Sequence, residues 1–578
     1  MLENQRYLDI GPNWTDPDAP SQGSVATTGR LAPSRSVIAE RVVPELLARL
    51  DANDHPEIIS STLIALARST TEHDGNQGKA HAVLREHLRH GQQKVRESAV
   101  LGLGLLGNLA GGNDLSELLG TETPSWLRAP ALSVRTRAFA AHGLGLAALR
   151  VQDPEARRRW AQALVDELES PGTDSVTFQI AAIEALGLIS LDGESAAKSD
   201  SKNDSQMASA DSLAEYLASW VEVAPRRSAW VRSHAGVAAG KAAAHAGPSV
   251  RTAIVTQLTR VIKSRKNHGY IRTGAAMGLG EAANSGNGKV DQRAREALVS
   301  LMKSGQALES RFARMALVEA AARPGEGEEP FAGERAARRA LLSDLKRSRS
   351  DEIGWTALAL GSLDWRLHQA GVTTGRETAM ALAEFGRKRR GDDSSAALGL
   401  GLSLAVQGTK AARTYEEHLL EEFESISSPV RKSFMALALG MARSPGVKDV
   451  LLDQIKGQSA HTPLLWNASV ALTVMNESVE DELKDMVAKK GSTIERRAAV
   501  RALGQAGGAR SIDLLLKAAA DESEQDLLRA EAIDALAALC DDEPITWRDA
   551  YSHALPYFAA TPTLNGSGND SAIIERPW

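Results

Sequence analysis

The sequence predicts an all-α fold, a right-handed α-solenoid in which about thirteen two-helix repeats follow one another along the chain. A short segment, VRESAVLGLGLLG at residues 95–107, returns in variant form from one end of the chain to the other. The composition agrees, because Ala and Leu dominate while the 578 residues include only 8 Phe and 6 Tyr. A unit that repeats every 30 to 50 residues or so is typical of a stacked helical array.

Each copy of the segment opens with a basic residue and places small residues three, six and eight positions later. The copies align on the residue equivalent to Gly102, and neighbours in the alignment lie 31 to 53 residues apart. The aligned residues are Ala65, Gly102, Gly143, Ala185, Ala238, Gly278, Ala316, Ala359, Gly399, Ala438, Ala471, Ala502 and Ala535. This regularity predicts one continuous repeat region instead of several unrelated domains.

A second amphipathic stretch precedes each copy, as at residues 154–169. Asp153 is placed to cap that helix, Pro154 occupies its first position, and Glu155 meets the positive end of the helix dipole. Each repeat is therefore predicted to consist of a helix, a turn and a second helix that carries the copied segment. Glycines inside this second helix predict close approach of neighbouring backbones, because an internal glycine costs about 1 kcal/mol of helix stability.

The repeat region is predicted to span residues 36–540, preceded by a disordered lead-in at residues 1–35. Residues 192–211 are rich in Ser, Asp and Lys and predict a disordered loop inserted among the repeats. The Pro-, Gly- and Glu-rich segment 323–334 predicts a joint between two repeats without a domain boundary. Residues 541–578 predict a C-terminal extension that is mostly irregular.

The charge balance gives no general attraction to polyanions. Lys and Arg number 67 against 73 Asp and Glu, so nucleic acid is an unlikely partner and would need a local basic patch. The single cysteine, Cys540, excludes an internal disulfide and a Cys-rich zinc site. The longest uncharged apolar run, residues 396–406, is far short of the roughly 20 residues of a membrane span. We expect a soluble protein, by default cytoplasmic and without membrane insertion, and export after removal of a leader stays open.

The pattern VRxxAxxxLGxxG, seen best at residues 95–107 and 272–280, resembles the HEAT-like repeats of bacterial proteins, including the phycobilisome lyase (PBS-lyase) type. The resemblance covers residues 36 to 539, approximately. It implies that outer helices form a convex layer and that the inner helices, which carry the copied segment, line a concave surface that binds other macromolecules. Such a pattern specifies a fold far more than a function.

Two enzyme families contain similar repeats, and each requires residues that can be looked for in this sequence. Deoxyhypusine hydroxylases resemble this array but carry His-Glu dipeptides for a di-iron centre, and none of the 13 histidines here precedes Glu. HEAT-like alkylpurine DNA glycosylases need a cationic groove, which the mixed charges of this chain do not provide. Phycobilin lyases stay open, because the repeat type matches although the sequence shows no pigment-holding motif.

The basic residue that opens the segment recurs at one helical position. We predict that it bonds the turn of a neighbouring repeat and so forms a structural ladder, while a basic stripe for nucleic acid is the alternative. The ladder residues are Arg96, Arg137, Arg232, Arg272, Arg496 and Arg529, with Lys432 as a variant.

Positions two, five and nine after the opening residue point in one direction, because successive helical residues turn by about 100°. Their mixed character makes them the candidate groove for a protein or peptide partner. The candidate residues are Phe139, His142, Glu184, His234, Lys241, Glu281, Phe312, Glu319, Trp355, Phe434 and Arg501, followed by Gln505 and Asp534. Aromatic residues recur at position two, where a row of exposed anchors and a row of core residues are both open.

His142 and Glu184 occupy the same position in adjacent repeats and are expected to approach each other. Two such groups make neither a metal set nor a catalytic constellation, so we predict no metal, no cofactor and no enzyme activity. The predicted function is a non-enzymatic scaffold or adaptor that binds a protein or peptide along the concave face of the inner helices.

Three alternatives stay open: a lyase-like or chaperone-like helper for a modified protein, a nucleic-acid-binding protein, and a repeat domain of a larger secreted or membrane-associated protein. The sequence specifies neither the identity of the partner nor the oligomeric state.

Overall fold

The computed structural model of the chain describes most of the predicted repeat region. The described residues are 33–52, 55–70, 75–127, 132–171, 175–191, 207, 209–222, 227–348, 350–389, 394–407, 409, 411–443, 445–457, 462–475, 477–488 and 492–540. The predicted lead-in up to residue 32, most of the 192–211 loop and the C-terminal extension 541–578 lie outside the described residues.

The chain divides into two compact units. Among the described residues, the N-terminal unit runs from Leu46 to Gly333, and the C-terminal unit runs from Glu334 to Cys540 and includes residues 33–45. The division after Gly333 falls inside segment 323–334, for which the sequence predicted no domain boundary. A single continuous repeat region from residue 36 to 540 stays a prediction.

The first described helices are α1 (Arg35–Val37), a π-helical turn (Ile38–Val42) and α2 (Val43–Ala52). Residues up to Glu45 belong to the C-terminal unit, and the N-terminal unit begins within α2 at Leu46. The N-terminal unit continues with α3 (Pro56–Ser69), α4 (Gln77–His87), α5 (Gln93–Leu106), α6 (Leu109–Glu117), α7 (Val134–Arg150), α8 (Pro154–Glu169), α9 (Val176–Leu188), α10 (Ala210–Val221), α11 (Ala229–His245), α12 (Pro248–Lys263), α13 (Gly269–Ala282), α14 (Lys289–Ser304) and α15 (Ala307–Ala322).

The C-terminal unit contains α16 (Glu334–Leu345), α17 (Ser350–Gln369), α18 (Glu377–Lys388), α19 (Ser395–Val406), α20 (Ala412–Ser425), α21 (Pro429–Ala442), a 3-10 turn (Pro445–Val447), α22 (Lys448–Gly457), α23 (Thr462–Val474), α24 (Glu480–Ala488), α25 (Thr493–Ala506), α26 (Ser511–Ala520) and α27 (Asp526–Cys540).

Helices with odd numbers from α3 to α27 each contain one of the aligned small residues, and we call them the motif helices. Even-numbered helices from α4 to α26 alternate with them, and we call these the flanking helices. Within each unit, a motif helix packs against the adjacent motif helices and, from α5 onward, against the flanking helix that precedes it. The described residues contain no β-strand. The prediction of an all-α fold of stacked helix pairs is confirmed, whereas the number of repeats stays a prediction.

Side-chain caps start the helices where the sequence predicts them. Asp153 accepts hydrogen bonds from the backbone N–H groups of Glu155, at 2.9 Å, and Ala156, at 3.3 Å, and a proline opens α8 as predicted. Ser209 caps α10 with its hydroxyl, so that this helix begins at Ala210. The loop predicted to run to residue 211 therefore ends slightly earlier, because Ser209 stops the fraying of the helix that follows.

Small residues let the motif helices approach one another closely. A Cβ atom added to Gly280 would lie 2.9 Å from the Cα atom of Ala316 on the next motif helix. A Cβ atom on Gly240 would lie 2.6 Å from the carbonyl carbon of Gly278, and closer still to its oxygen. Both glycines occupy position eight, and both of their neighbours occupy position six of the following repeat. The predicted close approach of backbones is confirmed at these positions.

Candidate binding surface on the motif helices

The contacts of α13 determine which way each helical position points. Arg272, at position zero, reaches the end of flanking helix α12, where its Nε donates to the carbonyl oxygen of Ile262 at 3.1 Å. Gly278 at position six faces α11, and Gly280 at position eight faces α15. At about 100° per residue, positions between about 140° and 200° therefore point away from the flanking helix. This is the direction that the sequence assigned to positions two, five and nine.

The aromatic residues at position two are buried. Phe139 and Phe312 are 0% and 2% exposed, and Trp355 and Phe434 are 5% and 6% exposed. Position two lies at about 200°, nearest to the flank of the helix, so a large ring there folds into the helical layer instead of standing out from it. The interpretation of these four residues as exposed anchors for a partner is wrong, and they belong to the core.

Three further groove candidates form a buried cluster on α7, α9 and α11. His234 lies on α11 with its Nδ1 atom 2.5 Å from Oε1 of Glu184 on α9, and Nδ1 of His142 on α7 lies 3.7 Å from Oε2 of the same carboxyl. All three residues are at most 3% exposed. The expected approach of His142 to Glu184 occurs, but away from solvent.

Burial governs the protonation of this cluster. It raises the pKa of Glu184, and the neighbouring His234 and Lys241 oppose that rise. Burial, together with His234, lowers the pKa of His142 to about 3, so this ring is neutral near pH 7. No group of three or more His, Cys, Asp or Glu side chains in the described part of the chain is placed to hold a metal ion. With no access from solvent, the cluster acts as a polar contact inside the N-terminal unit.

The face that points away from the flanking helices is closed over α5, α7 and α9. Position nine of these helices holds Leu105, Leu146 and Leu188, which are 4%, 4% and 7% exposed. Helix α9 is apolar on nearly every side, a composition typical of a fully buried helix. At position nine these three helices are therefore closed to a partner.

The same face is accessible on α11, α13 and α15. Position nine of these three helices holds Lys241, Glu281 and Glu319, all of which are half-buried. Glu281 lies 3.6 Å from Nη2 of Arg323, whose Nη1 donates to the carbonyl oxygens of Gly280 at 2.6 Å and of residue 283 at 2.9 Å. Charges of both signs thus lie at this end of the three helices.

Aromatic and methionine side chains continue the accessible face toward the beginning of the helices. Trp230 and Tyr270 are half-buried two residues before the opening arginines of α11 and α13, and their rings stack with centroids 4.3 Å apart. Met277 and Met315 are half-buried at position five of α13 and α15. We call these four residues, together with Lys241, Glu281 and Glu319, the α11–α15 face.

The groove candidates near the end of the chain belong to the C-terminal unit. Arg501 is exposed on α25, and its Nη2 lies 2.6 Å from Oε1 of Glu531 on α27. Arg497 donates two hydrogen bonds to the same carboxylate. Asp534 is half-buried on α27, and Gln505 lies outside the residues whose side chains are described. Arg501 therefore links two motif helices.

All six opening arginines bond to a carbonyl oxygen of their own repeat. In Arg137, Arg232, Arg272, Arg496 and Arg529, the Nε atom donates to a carbonyl oxygen at the end of the preceding flanking helix. Arg96 uses Nη1 for two carbonyl oxygens of the corresponding turn, at 2.7 and 2.9 Å. The predicted bond to the turn of a neighbouring repeat is present at Arg496, whose Nη atoms bond to Glu524 in the turn before α27. A ladder along the whole chain stays a prediction.

Three of these arginines also reach an acidic residue of the following repeat. Arg137 pairs with Glu167 at 2.8 Å, Arg272 with Glu309 at 3.0 Å and Arg496 with Glu524 at 2.6 Å. At these three positions the arginine joins the two helices of its own repeat and ties that repeat to the next one.

Sequence reasoning missed the aromatic and methionine part of the α11–α15 face. The available signal was the recurrence of Trp230 and Tyr270 two residues before an opening arginine, and of Met277 and Met315 at position five. These positions share the direction of position nine, because they lie within about 40° of it around the helix.

The paired, stacked helices define a helical repeat protein. A family model described as the vitellogenin TPR domain matches residues 394–555. A search of curated proteins finds no match to the chain. None of the helices that the structure describes is both long enough and apolar enough to cross a membrane.

Solved structures with similar folds include an engineered protein, 16% identical, for which the match covers 75% of this chain and 100% of that chain at a TM-score of 0.28. Importin beta is 14% identical over 86% of this chain and 74% of its own, at a TM-score of 0.37. The karyopherin Kap121p, solved bound to the SUMO protease Ulp1p, is 13% identical over 95% of this chain and 66% of its own, at a TM-score of 0.37.

Proposed function

We propose that this protein is a non-enzymatic scaffold or adaptor that binds a protein or peptide on the α11–α15 face. The observation that carries the proposal is the change along the motif helices from a face closed by buried leucines to one with half-buried Trp, Tyr, Met and charged side chains. Aromatic residues supply much of the binding energy at protein interfaces, and methionine adapts its shape to different apolar partners.

The chemistry of the face defines the class of partner. Trp230 and Tyr270 favour an apolar or aromatic side chain at one end, and Met277 and Met315 favour an aliphatic one next to it. Lys241 shares the face with Glu281 and Glu319, so a polyanion such as nucleic acid would meet repulsion as well as attraction. Three helices spaced about 10 Å apart span about 20 Å, the length of roughly six residues in an extended peptide.

The experiment selects binding peptides from a displayed library on the full-length chain and measures their affinity for variants. Met277→Glu combined with Met315→Glu places two charges in the centre of the face, and we expect at least about a tenfold loss of affinity. Met380→Glu is the matched control, because Met380 is 62% exposed on flanking helix α18 and lies outside the face. Equal affinities for the double variant and the parent chain would exclude this face as the binding site.

Three finer assignments belong to the same proposal. We infer kinship with the bacterial HEAT-like repeats of the PBS-lyase type, supported by the motifs at residues 95–107 and 272–280. We also infer that the repeats of residues 36–540 form one right-handed α-solenoid, supported by the recurrence of the aligned small residues. A soluble, cytoplasmic location is supported by the many charged residues on the flanking helices, as in α8 and α14.

A further inference from the structure

A cleft of about 480 Å³ lies in the C-terminal unit, where the loop after α17 meets the ends of α19 and α21. Its lining includes Arg376, Arg443, Gln407, Thr374 and Val406. The volume falls within the range of small-molecule sites, about 300–1,000 Å³. None of these residues belongs to the α11–α15 face, and the inference below does not depend on the proposed function.

The loop that forms one wall is held in place by its own contacts. After α17 the chain reverses at Gly371, which adopts a left-handed φ of 75° that favours glycine. Nε2 of His368 lies 2.6 Å from the Thr374 hydroxyl, which ties the loop back to α17. Added Cβ atoms at Gly371 and Gly375 would meet nothing within 4 Å, so the loop backbone is accessible.

The opposite wall is built from the ends of two motif helices. The carbonyl oxygen of Val406 accepts hydrogen bonds from the backbone N–H of Thr409, at 3.0 Å, and from its hydroxyl, at 2.6 Å. Arg443 follows α21 with a φ of 51°, and is the one described non-glycine residue with a positive φ. This conformation is uncommon for a residue with a side chain, and it places a cation at the rim of the cleft.

Two arginines line the cleft. Arg376 is exposed and makes no ion pair with any residue that the structure describes, and Arg443 is the second guanidinium of the lining. The described lining residues include neither Asp nor Glu. Guanidinium groups bind carboxylates through paired hydrogen bonds, so the cleft favours an anionic oxygen ligand.

A buried carboxamide adds a second requirement. Gln407 is only 8% exposed, it lines the cleft, and its Oε1 atom has no hydrogen-bond partner in the structure. An unsatisfied buried acceptor is costly, and a ligand that supplies an N–H or O–H donor would remove this cost. The ligand must therefore combine an anion with a nearby donor.

We propose that this cleft binds a carboxylate that carries an N–H or O–H donor next to it. The carboxylate pairs with Arg376, the donor bonds to Oε1 of Gln407, and Val372 and Val406 accommodate a small aliphatic side chain. Two sources present this chemistry: the C-terminal residue of a peptide, and a free 2-amino or 2-hydroxy acid.

The experiment is isothermal titration calorimetry on the full-length chain with four probes. N-acetyl-Ala-Ala with a free carboxylate represents a peptide end, its C-terminal amide removes the charge, and alanine and lactate represent free small acids. We expect the carboxylate probes to bind and the amide to fail. Preference for the acetylated dipeptide identifies a peptide end, and preference for alanine or lactate identifies a free acid.

Substitutions of the lining residues test whether the probes bind in this cleft. Arg376→Gln and Gln407→Glu should each weaken the carboxylate probe about tenfold or more, because one removes a cation and the other adds a repelling charge. Arg387→Gln removes an exposed cation from the far end of the same helix, α18, and should leave the affinity unchanged. Arg376 is exposed, so its substitution leaves the fold intact, and circular dichroism checks that of Gln407→Glu. Failure of all carboxylate probes at millimolar concentration, equal binding of the amide, or unchanged affinity in Arg376→Gln would each overturn the proposal.

Discussion

Replacing Gly240 with alanine tests whether close backbone contact holds the motif helices together. The new Cβ atom would lie 2.6 Å from the carbonyl carbon of Gly278, and closer still to its Cα and oxygen atoms, whereas ordinary contact begins at 3.4 Å, so α11 and α13 must separate locally by at least about 0.8 Å. The colliding atoms belong to the backbone of Gly278, so no side chain can rotate away. Overpacking costs about 1–3 kcal/mol, and a collision with backbone belongs to the upper half of that range, about 2–3 kcal/mol, while the better helix propensity of alanine returns about 1 kcal/mol. We expect a net destabilisation of about 1–2 kcal/mol.

The matched control is Gly78→Ala in flanking helix α4. A Cβ atom there would meet nothing within 4 Å, so this variant gains helix propensity without a collision. Its stability should stay unchanged or rise by up to about 1 kcal/mol. Urea unfolding of both variants, followed by circular dichroism, should move the transition midpoints in opposite directions. A Gly240→Ala protein as stable as the parent chain would refute the argument that these glycines are required for packing.

Three further predictions follow from buried groups. Arg272→Ala should lower the free energy of unfolding by about 1–3 kcal/mol, because it removes a hydrogen bond to the flanking helix and the ion pair with Glu309. Arg293→Ala, at an exposed site, is the control, and equal melting temperatures would contradict the structural role. The folded pKa of His142 is about 3 against 6.5 unfolded, so the unfolded state binds more protons between these pH values and stability falls as the pH drops. This pH dependence of the free energy of unfolding amounts to about 1.4 kcal/mol per pH unit and should vanish in His142→Leu. Urea titrations of both proteins at pH 7 and pH 5 measure it. Cys540 is 1% exposed and should react with a thiol reagent only when the C-terminal unit opens, so immediate reaction of the folded chain would contradict its burial.

The fold could be predicted from the sequence because packing imposes a strict spacing on small residues. Gly280 at position eight contacts Ala316 at position six of the next repeat. The same two positions are in contact at Gly240 and Gly278. The capping role of Asp153 could also be predicted, because a capping side chain bonds to backbone N–H groups in the first turn of its own helix. The division after Gly333 could not be predicted from the sequence, because it depends on which distant segments pack together. The composition of residues 323–334 fits a joint between repeats as well as a domain boundary.

The sequence predicts which side of each motif helix the candidate residues lie on, but not how exposed those residues are to solvent. Angles around a helix follow from residue numbering, so the side of the helix that faces away from the flanking layer is found correctly. Whether a residue on that side reaches solvent depends on its neighbours in adjacent repeats. Phe312 is buried while Met315, three residues later on the same helix, is half-buried, although their directions differ by only about 60°.

Position nine decides where the face opens. Burial of Leu188 on α9 is favourable in free energy, because its side chain is apolar. Lys241, its equivalent on α11, cannot be buried without a large desolvation cost, so its ammonium group must stay near water. The change occurs within α11 itself, since His234 and Val237 are 1% and 5% exposed while Lys241 is half-buried. The change from an apolar to a charged residue at this repeated position thus separates the closed part of the helical stack from the face on which we propose that a partner binds.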